Sequence, residues 1–145
     1  MITFRTEPLT GMKAQALTVF PDECCGFLYG REEVDGNRTV IIAKEVMNAK
    51  EGDKRRRFQI SPKDYMEAEQ FALKNNITLL GIYHSHPNHP AIPSEHDRVA
   101  AQPYFSYIIV SVMQGKIDHI RSWRLSDSSQ FEEEILSPVL VNQSI

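Results

Sequence analysis

Apolar and polar positions along this chain switch between two periods, and the switches outline its elements. Leu9, Met12, Ala16, Val19 and Phe20 recur at helical spacing, which predicts a helix over residues 9–20 that Pro21 ends. Residues 25–30 (Cys-Gly-Phe-Leu-Tyr-Gly) read as a strand, and residues 39–43 as its neighbour across the Asp35-Gly36 turn. Residues 48–57 are polar and contain a glycine, as a loop would. Ser61-Pro62-Lys63-Asp64 combines a capping serine, a proline at the first helical position and an acid in the first turn. The helix it opens is predicted to run to Lys74, bury Tyr65, Ala68 and Ala72, and stop at Asn75-Asn76. Residues 78–83 form a short unbroken apolar run, typical of a strand covered on both faces. A proline-punctuated loop follows over residues 87–93, and Ser94 opens a second short helix. Residues 107–112 and 117–125 read as a hairpin across Gln114-Gly115. After Ser129 a last short helix carrying Phe131 and Ile135 is predicted, then a polar tail from about residue 137. Helices and strands mix around one central sheet, so the class is α/β or α+β.

Composition narrows the setting. The 145 residues show no repeat, low-complexity tract or linker, so a single domain over residues 1–145 is expected. With 41% hydrophobic and 24% charged residues the chain reads as globular. Its net charge of -3 gives no reason to expect nucleic acid or an anionic membrane as partner. The run Lys54-Arg55-Arg56-Arg57 is the one basic cluster and reads as a solvated loop. No apolar run approaches the roughly 20 residues of a spanning helix, and the start lacks the features of a signal peptide, so a cytoplasmic setting is expected. Cys24 and Cys25 are adjacent; a disulfide between neighbours closes almost no loop, so both are expected as reduced thiols. Any metal must then rest on histidine and carboxylate.

The segment with chemistry in it is Tyr83-His84-Ser85-His86-Pro87-Asn88-His89-Pro90-Ala91-Ile92-Pro93-Ser94-Glu95-His96-Asp97. In an extended strand, residues two apart share a face, so His84 and His86 project side by side, as two corners of a tetrahedral zinc site require. With Ser94 as N-cap, Asp97 falls in the first helical turn, and the backward tilt of helical side chains aims its carboxylate at the strand end. Three prolines stiffen the connection. Two histidines and one carboxylate leave a fourth position for water, the pattern of catalytic rather than structural zinc. Each feature also has a purely structural explanation: paired histidines occur by chance, an acid in a first turn complements the helix dipole, and a serine cap stabilises its own helix.

The spacing H-x-H-x7-S-x-x-D over His84, His86, Ser94 and Asp97 resembles the signature of the JAMM (MPN+) zinc metalloproteases. Pro21-Asp22-Glu23-Cys24-Cys25-Gly26 resembles the segment in which that family places a glutamate ahead of a strand, with Glu23 as the match. Arg57-Phe58-Gln59-Ile60-Ser61-Pro62, Gly81-Ile82-Tyr83-His84-Ser85-His86-Pro87 and Ser122-Trp123-Arg124-Leu125 are similar to the short bacterial branch. The likeness runs from residue 21 to about residue 131, with no departure at a motif position. It implies a cytidine-deaminase-like α/β/α sandwich with a mixed central sheet. It also implies a Zn2+ ion on His84, His86 and Asp97, Glu23 as general base and then acid, and Ser94 as donor to the oxyanion. Nothing in composition or spacing selects Glu23 over Asp22, Glu95 or Glu7; that assignment comes from the resemblance alone. His89 and His96 have no role in the family pattern and are expected in the loop or around the site. Cys24 and Cys25 lack a recognisable base and are expected as small core residues.

Other readings fit less well. Deaminases of related fold use H-x-E and P-C-x-x-C, neither of which is present. HExxH proteases are excluded by the same comparison, and a cupin site would want a glutamate farther along the same strand. A non-catalytic MPN scaffold is expected to lack ligands or the glutamate. The resemblance further implies a substrate: a ubiquitin-like sulfur-carrier protein with a Gly-Gly C-terminus, cut just after that tail, the released segment loosely specified. Residues 48–57 are the expected flank of the tail, with Arg55 to Arg57 facing an acidic carrier surface.

Overall fold

The computed structural model describes residues 1–137; the tail expected beyond residue 137 lies outside them. Ten elements follow in order: β1 (Ile2–Phe4), α1 (Thr6–Val19), β2 (Cys25–Glu32), β3 (Arg38–Val46), α2 (Pro62–Lys74), β4 (Thr78–Pro87), α3 (Glu95–Ala100), β5 (Ser106–Met113), β6 (Lys116–Leu125) and β7 (Phe131–Glu134). The strands form one mixed sheet in the order β1-β3-β2-β4-β5-β6-β7. Strands β1 and β3, and β4 and β5, pair parallel; the other neighbours pair antiparallel.

Two apolar layers cover the sheet. On one face Met12 and Ala16 of α1 pack on Phe4, Leu28, Val40, Leu80 and the even-numbered positions Ile108, Val110 and Val112 of β5. On the other, Ala68 and Ala72 of α2 meet Phe27, Tyr29, Leu79, Ile82 and Tyr107. This is the α/β/α sandwich expected, and β4 is buried along nearly its whole length because helices cover both its faces. Opposite β2, the register of β4 skips Leu80 between Leu79 and Gly81. The bulge sends Leu80 to the α1 side and leaves Leu79, Ile82, His84 and His86 facing α2. Gly81 is required beside it, since a Cβ there would lie 1.9 Å from the Ser106 carbonyl oxygen.

Local signals read from the sequence recur in the structure. The Ser61 hydroxyl accepts from the Asp64 N–H at 3.1 Å, α2 ends at Lys74, and Asn76 takes a left-handed φ of 52°. Gln114 and Gly115 both have positive φ (52° and 79°), as a tight two-residue hairpin turn needs. Helix α1 begins at Thr6, earlier than the expected residue 9. Pro8 fits there because the N–H groups of a first turn have no partner within the helix.

One expectation is corrected, and one element is added. Residues 131–135 are not a helix: Phe131–Glu134 is the edge strand β7, paired antiparallel with β6, and Ile135 is exposed. Three consecutive glutamates disfavour a strand locally. Pairing overrides them, because it packs Phe131 edge-on against Tyr107 and turns Glu134 inward to accept from Ser106 and Ser122. Strand β1 was not expected at all, since three residues are too few to show a period.

Candidate active site

The antiparallel pairing of β2 with β4 sets Cys25 opposite His84. Contact continues one step beyond the ladder: the Ser85 N–H donates to the Cys24 carbonyl at 3.1 Å, and the Cys24 N–H donates to the Ser85 hydroxyl at 2.9 Å. Glu23, just before β2, is thereby carried to the end of β4. Its N–H donates to the Lys54 carbonyl at 2.7 Å, and the Asn48 amide donates to its carbonyl at 3.1 Å. Asn48 also bonds the Arg57 carbonyl and the Gln59 N–H, so one side chain braces residues 48–59 around Glu23. Neither Asn48 nor Ser85 carries a sequence signal of this role; only the pairing of distant segments shows it.

At the end of β4 the Nε2 atoms of His84 and His86 lie 3.1 Å apart. The Asp97 Oδ2 atom lies 3.4 Å from the first and 3.2 Å from the second. Donors about 2.0–2.1 Å from a tetrahedral zinc ion lie about 3.3–3.4 Å from each other, so this triangle has the size of one tetrahedral face. The His86 Nδ1–H donates to the Pro90 carbonyl at 2.9 Å, which leaves Nε2 as the ring's lone-pair nitrogen. His84 is stacked on Phe58 with ring centroids 4.4 Å apart. Asp97 is oriented by a capping box: Ser94 Oγ accepts from the Asp97 N–H at 3.0 Å, and the Ser94 N–H donates to Asp97 Oδ2 at 2.9 Å. The structural and chemical readings of Ser94 and Asp97 therefore describe one arrangement, in which the cap aims the carboxylate.

Electrostatics favour a cation here. Burial holds the His84 imidazole neutral by pulling its pKa down. Burial also pulls at His86, but its bonds to Asp97 and Pro90 and the nearby Asp97 and Glu23 charges outweigh that and raise it. Burial alone would raise Asp97; the two histidines and the Ser94 N–H overcome it and keep the carboxyl well below the usual range. Glu23 is 5% exposed, and burial, reinforced by Asp97 against the opposing His86 and Arg57 charges, pushes it up to about 8. Among the described residues, Glu23 Oε1 and His84 Nδ1 are the buried side-chain atoms without a hydrogen-bond partner. A carboxylate oxygen left unpartnered beside converging imidazole and carboxylate donors is what a metal and its water would satisfy, so the residues present fit zinc.

Of the other titratable candidates, Cys24 and Cys25 are buried free thiols, pushed by burial up to about 11 and about 12, and are not nucleophiles at neutral pH. His89 lines the cleft that holds Glu23, His86 and Ser94, together with Arg56 and Arg57; His96 stands on the rim of a separate apolar cavity. Arg55 is exposed, its N–H bonded to Asp53.

The sequence pattern of prokaryotic homologs of the JAB domain matches residues 9–126 of this chain. The chain belongs to this family. Among proteins it resembles, a desampylase of Pyrococcus furiosus is 27% identical over 111 residues, covering 77% of this chain and 72% of the relative. A CysO-cysteine peptidase of Mycobacterium tuberculosis is 26% identical over 136 residues, covering 93% and 90% respectively. A solution structure of a Desulfitobacterium hafniense protein superposes with TM-score 0.82 at 31% identity, covering 95% of this chain and 92% of that one. A JAB1/MPN domain protein from Archaeoglobus fulgidus has the same fold at TM-score 0.60 and 18% identity, over 95% of this chain and 99% of its own. As a JAB-family member the chain is a hydrolase of the peptidase kind. Among its described residues no helix is long and apolar enough to cross a membrane.

Proposed function

We propose that this JAB protein is a zinc metallopeptidase that hydrolyses the bond after the Gly-Gly tail of a ubiquitin-like sulfur-carrier protein. The observation that supports it most is the convergence of His84, His86 and Asp97 in a triangle of tetrahedral size, bordered by the unpartnered Glu23 carboxylate. The activities for which the relatives are named, a desampylase and a CysO-cysteine peptidase, favour a carrier protein as substrate. Free cysteines suit a reducing compartment such as the cytoplasm.

In this reading His84 Nε2, His86 Nε2 and Asp97 hold the ion. Bound zinc supplies Lewis acidity that makes water a nucleophile near neutral pH. Glu23 takes the proton of the attacking water on its free Oε1 and returns it to the leaving amine. Ser94 accepts from the Asp97 N–H and keeps its own hydroxyl proton to donate to the oxygen of the scissile carbonyl. Pro90 and Phe58 hold the two imidazoles in place.

The test pairs metal analysis with product identification. Purified protein should hold about one zinc per chain, and Ala at His84, His86 or Asp97 should sharply reduce it. Mass spectrometry of a carrier bearing a C-terminal extension should show cleavage just after Gly-Gly, and Val in place of the final glycine should block it. Undiminished zinc in all three variants, or efficient cutting of the Val carrier, would overturn the reading.

A further inference from the structure

The two sides of the His84–His86–Asp97 cluster differ in chemistry. On the His86 side, an open cleft of about 440 Å³ is bordered by Glu23, Ser94, Arg56, Arg57 and His89. On the other side His84 and Asp97 form part of the wall of a more enclosed cavity of about 400 Å³. Phe58, Tyr65, Ile82, Tyr107, Ile109 and Phe131 supply its apolar lining. Apart from Asp97, that lining contains no carboxylate, lysine or arginine among the described residues. Besides His84 and the hydroxyls of Tyr65 and Tyr107, its polar side chains, Gln59, His96 and Gln102, belong to exposed residues. The Tyr107 hydroxyl already accepts from the Gln102 N–H at 2.7 Å.

A concave apolar space with a few polar groups at its edge is the form of a binding pocket, and this one has room for a large side chain. We propose that it is a specificity pocket for a large apolar side chain on the first residue released by the cleavage. The inference rests on the reading of a Gly-Gly substrate. Glycines have no side chain to fill an apolar cavity, so the residues on the carrier side of the bond cannot occupy it. The cavity shares His84 and Asp97 with the reacting centre, so the side chain that reaches it belongs to the residue next to the scissile bond. That residue is the leaving one. The released segment is therefore selected, where the sequence alone gives it no specification, and leucine, methionine or phenylalanine should be favoured over glycine, aspartate or lysine.

Two measurements test this on the zinc-loaded full chain. The first compares carrier fusions that share Gly-Gly and differ only in the next residue. Leucine and phenylalanine should exceed glycine and aspartate in kcat/KM by about tenfold to two-hundredfold, the range an apolar pocket provides. Ala100→Phe, an exposed position at the cavity wall, should abolish that preference, bringing kcat/KM for the leucine fusion down to that of the glycine fusion. Phe131→Ala, at another position of the lining, should shift the preference toward the larger aromatic side chain and shows whether loss in the first variant is occlusion or damage. The second measurement needs no cleavage. L-leucinamide, the released residue in amide form, should shift the methyl resonances of Ile82 and Ile109 in wild type but not in Ala100→Phe, while L-aspartamide should shift neither. Equal rates for leucine and aspartate fusions, or no shift with leucinamide, overturns the pocket. Shifts with leucinamide without cutting after Gly-Gly would leave the pocket standing and refute the carrier substrate. A preference that follows the residue before Gly-Gly would overturn the assignment to the released side.

Discussion

Two polar clusters are buried along β4, and they are built on opposite principles. Near the start of the strand, Arg38 is 1% exposed and each of its three side-chain nitrogens donates a hydrogen bond. Its Nη1 donates to the Leu80 carbonyl and the Ser106 hydroxyl (3.1 and 2.9 Å), its Nη2 to the Tyr104 carbonyl (2.9 Å), and its Nε to Glu32 (3.0 Å). Glu134 completes the set by accepting from Ser106 and Ser122 at 2.8 and 2.9 Å. At the far end, His84, His86 and Asp97 crowd their lone-pair atoms together and Glu23 leaves an oxygen without a partner. A satisfied network ties strands together; an unsatisfied one retains capacity to bind. Burial alone therefore does not mark a functional site. Burial of acceptors that face one another without donors does.

Substitutions in the two clusters should have opposite consequences. Asp97→Ala should have the largest effect, removing zinc and reducing peptidase activity to background, read by elemental analysis and single-turnover assays. It should also abolish the rise in melting temperature that added zinc gives the wild type. Glu23→Gln should retain zinc and fold yet lose about 10²–10⁴ in rate, because an amide cannot take the water's proton. Arg38→Ala should do the converse: a loss of about 3–5 kcal/mol in denaturant unfolding, with zinc content and activity per folded molecule unchanged. If Arg38→Ala instead lost zinc while remaining folded, the two clusters would not be independent. Ser94→Ala should lower kcat by about 10²–10³, and part of any stability change, about 1 kcal/mol, should come from the missing helix cap.

The same contrast predicts a pH dependence in the metal-free protein. Burial raises the Glu23 carboxyl from about 4.5 to about 8, so between those values the folded state keeps a proton that the unfolded state has released. Stability from this group consequently falls as pH rises through that window and is flat above it. Glu23→Gln carries no such proton. Metal-free wild type should lose ground to Glu23→Gln between pH 5 and pH 8, measured by urea unfolding of both, and zinc should reduce the difference. A constant gap across that range would contradict the buried, uncompensated setting of Glu23.

Much of the candidate site was legible because its signals are short-range. The alternation that puts His84 and His86 on one face survives the bulge at Leu80, which lies upstream of both. The Ser94-to-Asp97 spacing is a capping box, so a pattern four residues long specifies both the helix start and the direction of the carboxylate. Glu23 was different. Asp22, Glu95 and Glu7 are acids of the same kind in sequence, and only resemblance to a family selected Glu23. Asn48, Ser85 and Pro90 carried no signal, because a bond to a carbonyl or hydroxyl far along the chain leaves no trace in local composition.

By itself the sequence determined helix caps, hairpin turns, the shared face of the two histidines and the α/β class, all governed by periods and bonds spanning a few residues. The tertiary structure alone decided which strands are neighbours, and with it what those local pieces do. Pairing β2 with β4 brings Glu23 to His86 across some sixty positions of chain, as the Ser85–Cys24 bonds show. Pairing β7 with β6 turns a glutamate-rich segment from the expected helix into an edge strand, and Phe131 then closes one wall of the apolar cavity. The physical reason is the same in both cases. Local geometry is set by sterics and hydrogen bonds within a few residues, whereas strand order is chosen by burial summed over the whole sheet, which no short window of sequence contains.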